Sequence, residues 1–182
     1  MLQRDLHQQL RAESIAARDH IAALTRPLNA AQLNEHPEPK GWSIGEVLEH
    51  LLIADELYDD TVARLLASSR PDAGAALREW KPSFLGKWIA ESLIAPKKLK
   101  APPAFKVRHG PRNGVVEAFL AHELKFVQVM DDAVRYDWSA LRIGSPALPR
   151  FAPKLNLGDA FRVHVVHVTR HAKQVERLAG KV

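Results

Sequence analysis

Apolar side chains recur every three or four positions through four long stretches of the chain, the repeat that turns one stripe of an α-helix toward a core. In residues 2–25 the stripe is Leu6, Leu10, Ile15, Ala17, Ile21 and Leu24, and Pro27 closes it. Residues 42–70 carry a broader face, from Ile44, Val47, Leu48, Leu51 and Leu52 to Leu57, Tyr58, Val62, Leu65 and Leu66. Ser43 and Glu46 mark its start as a capping box: the serine oxygen accepts the residue 46 amide while the glutamate reaches back. Residues 113–135 repeat the pattern through Val116, Phe119, Leu120, Leu124, Val127, Met130 and Val134, with Asn113 as the expected N-cap. The last stretch, residues 157–178, is capped by Asn156 and ends just before Gly180.

The connections differ in character. Residues 27–41 form a breaker-rich connector with room for a short helical turn at 29–34. Residues 83–94 predict a short helix, whose aromatics suit a wall or lid over the bundle end or simply cover core. Residues 96–112 and 136–154 are proline-rich loops. Nothing alternates with a period of two, so no strands are expected. The pattern predicts an all-α protein, a four-helix bundle with long, partly helical connections, in one domain over residues 1–182.

Composition narrows the function. Apolar residues make up 46% and charged residues 26%, the mix of a soluble globular protein. There is no cysteine, which removes disulfides, thiolate metal sites and cysteine nucleophiles together, so a thiol reaction needs a borrowed thiol. No apolar run approaches the roughly 18 residues of a membrane span, so no membrane partner is expected and the cytoplasm is the expected location. The net charge of +5 is concentrated in the 96–112 loop at Lys97, Lys98, Lys100, Lys106, Arg108 and Arg112. That loop holds four prolines and no recognition helix; it reads as a solvated basic loop, and no nucleic-acid partner is expected.

The candidate chemistry lies in the nine histidines. His164, His167, His171 and Gln174 are spaced three, four and three apart and form one stripe beside the apolar seam of the last helix. Two imidazoles four residues apart can grip one divalent ion, and a third ligand must come from elsewhere. His50, within the apolar segment HLLIA of the second helix, needs a partner for its ring nitrogens. One reading joins His50, His167 and His171 around a zinc, nickel or ferrous ion. The other leaves them as core-edge histidines satisfied by carboxylates or backbone. His7 and His20, among polar neighbours, are expected to face water.

The segments GWSIGEVLEHL and HVTRHAKQVERL, in that order and at that separation, resemble the DinB/YfiT-like superfamily of four-helix-bundle proteins, regarded as metal-dependent enzymes. The resemblance implies one divalent metal ion held by His50, His167 and His171, with Gln174 near the site and Trp42 and Ser43 structural. His164 is second choice as ligand and could equally support the ligands or carry a proton. Where related sequences often read HHRGQ, this chain has RHAKQ, so the helix surface beside the site differs. The implied activity is hydrolysis, or transfer and isomerisation with a low-molecular-weight thiol such as bacillithiol, mycothiol or glutathione. A small-molecule substrate and a homodimer go with it. His164, His122 and Glu46 are candidate proton handlers, with Glu46 expected to be occupied by its cap. The rival reading is a non-catalytic metal-stabilised bundle acting as a binding or stress-response module.

Overall fold

Three reciprocal caps set the helix starts. In the computed structural model, which describes residues 1–39, 41–96, 99–149 and 151–182, α1 is Gln3–Thr25, α2 Ala30–Asn34, α3 Ile44–Ala67, α4 Phe84–Ile94, α5 Val115–Ala133 and α6 Leu157–Ala179. Asn29 with Gln32, Ser43 with Glu46 and Asn156 with Asp159 each close a capping box, at the starts of α2, α3 and α6. The expected cap at Asn113 is not used. Gly114 is the N-cap of α5, at φ +66°, and its left-handed backbone turns the chain into the helix one position later.

The protein is the predicted all-α bundle. α1 packs along α5 and α6, and α3 packs along the same two, so α1 faces α3 across one diagonal and α5 faces α6 across the other. α4 lies on α6. Gly86 and Gly158 permit this approach, since a Cβ at Gly86 would fall inside the Asp159 carboxylate and one at Gly158 inside the Trp80 indole. The junction is stapled by polar bonds: Asp159 accepts the Ser83 amide, and Asn156 Oδ1 accepts Trp80 Nε1 at 3.0 Å. No described helix is long and apolar enough to cross a membrane.

Two departures from the sequence pattern are small in extent. Residues 142–143 (β1) and 155–156 (β2) pair antiparallel, Arg142 with Asn156 and Ile143 with Leu155. A two-residue strand cannot express an alternation. His7 does not face water: its Nε2 lies 2.7 Å from Asp131 Oδ1 and its ring meets the edge of Trp138. His20 is 44% exposed, beside Glu176. Lys97 and Lys98 of the basic loop lie outside the described residues, and Arg112 is pinned to α3 by Glu49 and Glu56.

The core is divided. One apolar cluster contains Ala17, Ile21, Leu48, Leu51, Phe119, Val168 and Val175; the other contains Leu6, Leu10, Val62, Met130, Trp138, Phe161 and Val165. Between them, at the level where each helix passes from one cluster to the other, stand Ser14, Asp55, Glu123 and His164.

Candidate metal centre

His50 reaches inward from α3, and His167 and His171 come from successive turns of α6, which packs beside it. The ring centroids of His50 lie 5.0 Å from each of the other two, and those of His167 and His171 are 4.7 Å apart. One nitrogen from each ring lies within 4.8 Å of the others, and the Nε2 atoms of His50 and His167 are 3.1 Å apart. Nitrogens that share one zinc-like ion at about 2.1 Å sit roughly 3.4 Å from each other in a tetrahedron, so small rotations suffice to close the set.

Hydrogen bonds orient the rings. The Phe105 carbonyl can only accept, so Nδ1 of His50, 2.7 Å away, carries the proton and Nε2 keeps its lone pair. His171 Nδ1 donates to Gln174 Oε1 at 2.9 Å, which leaves its Nε2 free in the same way. Burial pushes the pKa of all three below the ordinary histidine value; His171 falls to about 3, helped by the nearby His50 and Arg170. The three imidazoles are therefore neutral at pH 7, the form that binds metal. Donor type, orientation and charge state all fit a divalent transition-metal ion.

Trp42 immediately precedes the Ser43 cap of α3. Its ring lies 4.8 Å from that of His50 and stacks on His171 at 6.4 Å with an interplanar angle of 19°. The histidines line a cavity of about 1380 Å³, with Trp88, Ile89 and Leu93 of α4 as one apolar wall and Lys100, Lys173 and Arg177 on its lining. α4 is thus both a wall of the cavity, through Trp88 and Leu93, and a cover of the core, through Leu85 and Ile89, while its Phe84 is 89% exposed.

A family model described as the DinB superfamily matches residues 15–175. The chain belongs to the DinB superfamily. Comparison with curated proteins and with solved structures returns no match. In this DinB-superfamily protein the matched span includes His50, His167, His171 and Gln174.

The remaining candidates are placed differently. Glu46 is held by its cap, 3.0 Å from the Ser43 amide. His164 turns away from the three-histidine cluster: Nδ1 is 3.0 Å from Asp55 Oδ1, Nε2 is 3.1 Å from Glu123 Oε1, and the ring stacks on Phe126 at 3.6 Å. Burial disfavours a charged His164, yet Asp55 and Glu123 outweigh it and raise the pKa to about 10. Burial in turn pushes Asp55 up. Sequence reading missed Asp55 and Glu123. Their signal was available: Asp55 falls four residues after Leu51, and Glu123 lies midway between Phe119 and Val127, both on apolar stripes.

His122 reaches Asp59, with Nε2 3.3 Å from both carboxylate oxygens, and Lys125 Nζ adds a 2.7 Å contact. These bonds, His122 first, hold Asp59 down to about 2. A carboxylate depressed in the folded state contributes stability above its unfolded pKa of about 3.9 and loses it as pH falls through the folded value. In urea unfolding of the metal-free protein, the gap between wild type and Asp59→Asn is expected to be widest near pH 5, to shrink between about pH 4 and 2 as Asp59 takes up a proton, and to shrink again as pH rises through the raised pKa of His122. A gap that does not change with pH would mean Asp59 contributes no ionic stabilisation.

Proposed function

We propose that this DinB-superfamily protein is a metal-dependent enzyme in which His50, His167 and His171 hold one divalent ion, zinc, nickel or ferrous iron, and act on a small molecule by hydrolysis or by thiol transfer. The observation that carries the reading is the convergence of three imidazoles, two of them oriented by hydrogen bonds, on one wall of a large cavity. Bound there, the ion would lower the pKa of water or of a thiol toward neutrality.

The chain's own residues do the rest. The Phe105 carbonyl and Gln174 hold two of the rings in register, and Trp42 covers two of them against bulk water. Lys100, Lys173 and Arg177 supply positive charge for an anionic group, which suits the carboxylates of a low-molecular-weight thiol. Trp88, Ile89 and Leu93 take up an apolar portion of the substrate. With no cysteine in the chain, any thiolate is the cosubstrate's.

Reconstitution tests the reading. Chelated protein is expected to be inert toward ester substrates, and toward electrophiles offered with a thiol, and to regain one of these activities when zinc, nickel or ferrous ion is restored. Reloading that raises only the melting temperature, with no turnover, favours the non-catalytic bundle, since the same ligands tie α3 to α6. Gln174→Ala is expected to weaken metal binding about 10- to 100-fold by freeing the His171 ring, measured by competition with a chromophoric chelator.

A further inference from the structure

The polar layer between the two apolar clusters has a chemistry of its own. Asp55 from α3 and Glu123 from α5 are 6% and 0% exposed, and each offers an oxygen within 4.8 Å of the other's and of a His164 nitrogen from α6. His122, also on α5, places Nδ1 3.9 Å from Asp55 Oδ2. Ser14 from α1 donates to Glu123 Oε2 at 3.4 Å, so all four helices of the bundle contribute.

An internal ion-pair network accounts for only part of this. Asp55 Oδ2, Glu123 Oε1 and His122 Nδ1 are buried without a hydrogen bond, although Glu123 Oε1 is only 3.1 Å from His164 Nε2. Asp55 Oδ2 and His122 Nδ1 in particular are buried with no hydrogen-bond partner, and buried polar atoms call for one. At 3.9 Å, the Asp55 and His122 atoms are too far apart to bond each other, and within the span two ligands of one ion can take at metal bonds of about 2.1 Å.

We propose that Asp55, Glu123 and His164 form a second divalent-cation site that takes manganese(II) or ferrous iron, with His122 beside it, next to Asp55. Two ionised carboxylates carry the charge that one divalent ion neutralises. Protonated His164 carries one N–H toward each carboxylate; the nitrogen that would bind the ion gives up its proton to solvent as the ion enters, and the other keeps its own. The donor set is harder than three imidazoles, which separates the two sites in preference: nitrogen-only ligands favour zinc or nickel, and mixed carboxylate and imidazole ligands accept manganese and iron. The sites are neighbours, His164 standing one turn from His167. Asp55, His122 and His164 line the same cavity as the three histidines, which gives an ion access.

The test gives the metal-stripped full-length protein one equivalent of zinc, which either site would take in preference to manganese, and then dialyses it against manganese(II) alone, with metals counted per chain and bound manganese read by electron paramagnetic resonance. Wild type is expected to hold one zinc and one manganese. Asp55→Asn and Glu123→Gln should each lose manganese and keep zinc, His167→Ala dialysed against manganese without zinc should keep manganese, and His122→Gln should weaken manganese binding about tenfold or more. If Asp55→Asn lacks the wild-type far-ultraviolet circular dichroism, Glu123→Gln and His122→Gln carry the comparison. The proposal is overturned if wild type binds no manganese, if the carboxylate variants keep it, or if it disappears only in His167→Ala. Loss of the zinc site alone would count against the proposed function and leave this site standing.

Discussion

His167→Ala is expected to lose the zinc-type metal and the metal-dependent activity together while keeping wild-type helicity. His167 is about equally close to both partners, with Nε2 3.1 Å from that of His50 and its ring 4.7 Å from that of His171, so its removal leaves one ligand on each of the adjacent helices α3 and α6. Losing a partner that merely orients a ligand costs roughly 10- to 100-fold in affinity, and losing the ligand should exceed that. Helicity should survive because alanine is the best helix former and position 167 belongs to neither apolar cluster. Metal per chain after desalting, circular dichroism and turnover decide it. Metal retained at wild-type stoichiometry would refute the ligand assignment.

Trp138→Ala is expected to destabilise the protein by about 3–5 kcal/mol, lowering the melting temperature by roughly 6–20 °C. Trp138 is fully buried, meets Phe161 edge-on with centroids 4.9 Å apart, and donates from Nε1 to the Ala133 carbonyl at 2.9 Å. Its own amide donates to Gln3 Oε1, which ties the start of α1 to the end of α5. Truncation therefore leaves a cavity and removes one of the two hydrogen bonds that the Ala133 carbonyl accepts, the one from the Tyr136 amide remaining. Because Trp138 belongs to the cluster on the other side of the polar layer from His50, the folded fraction should still take up metal normally. Thermal unfolding followed by circular dichroism checks the first expectation, and metal analysis of the native protein the second.

The bundle was legible because long amphipathic stripes and reciprocal caps are local signals, carried by residues three and four apart. The convergence of His50 with His167 and His171 came from motif order and spacing, since neither segment alone says which helix it will meet. What escaped was non-local or inconspicuous. Trp138 lies in a stretch with no helical repeat, so its burial depends on α1, α5 and α6 closing over it. Asp55 and Glu123 each looked like a single charge in an amphipathic helix, and only their meeting across the bundle gives them a shared role. Asn113 failed as a cap because the left-handed conformation of Gly114 depends on the approach of the preceding loop.

The atom that orients His50 is a main-chain oxygen, supplied by Phe105 from the loop between α4 and α5. Every amino acid carries that oxygen, so an alanine scan would leave this contact in place and would report only on the Phe105 ring, which meets that of His50 edge-on at 6.4 Å. Loop length and path are what natural variation must preserve there: a one-residue deletion between positions 99 and 111 threatens the centre more than most side-chain replacements in the same segment.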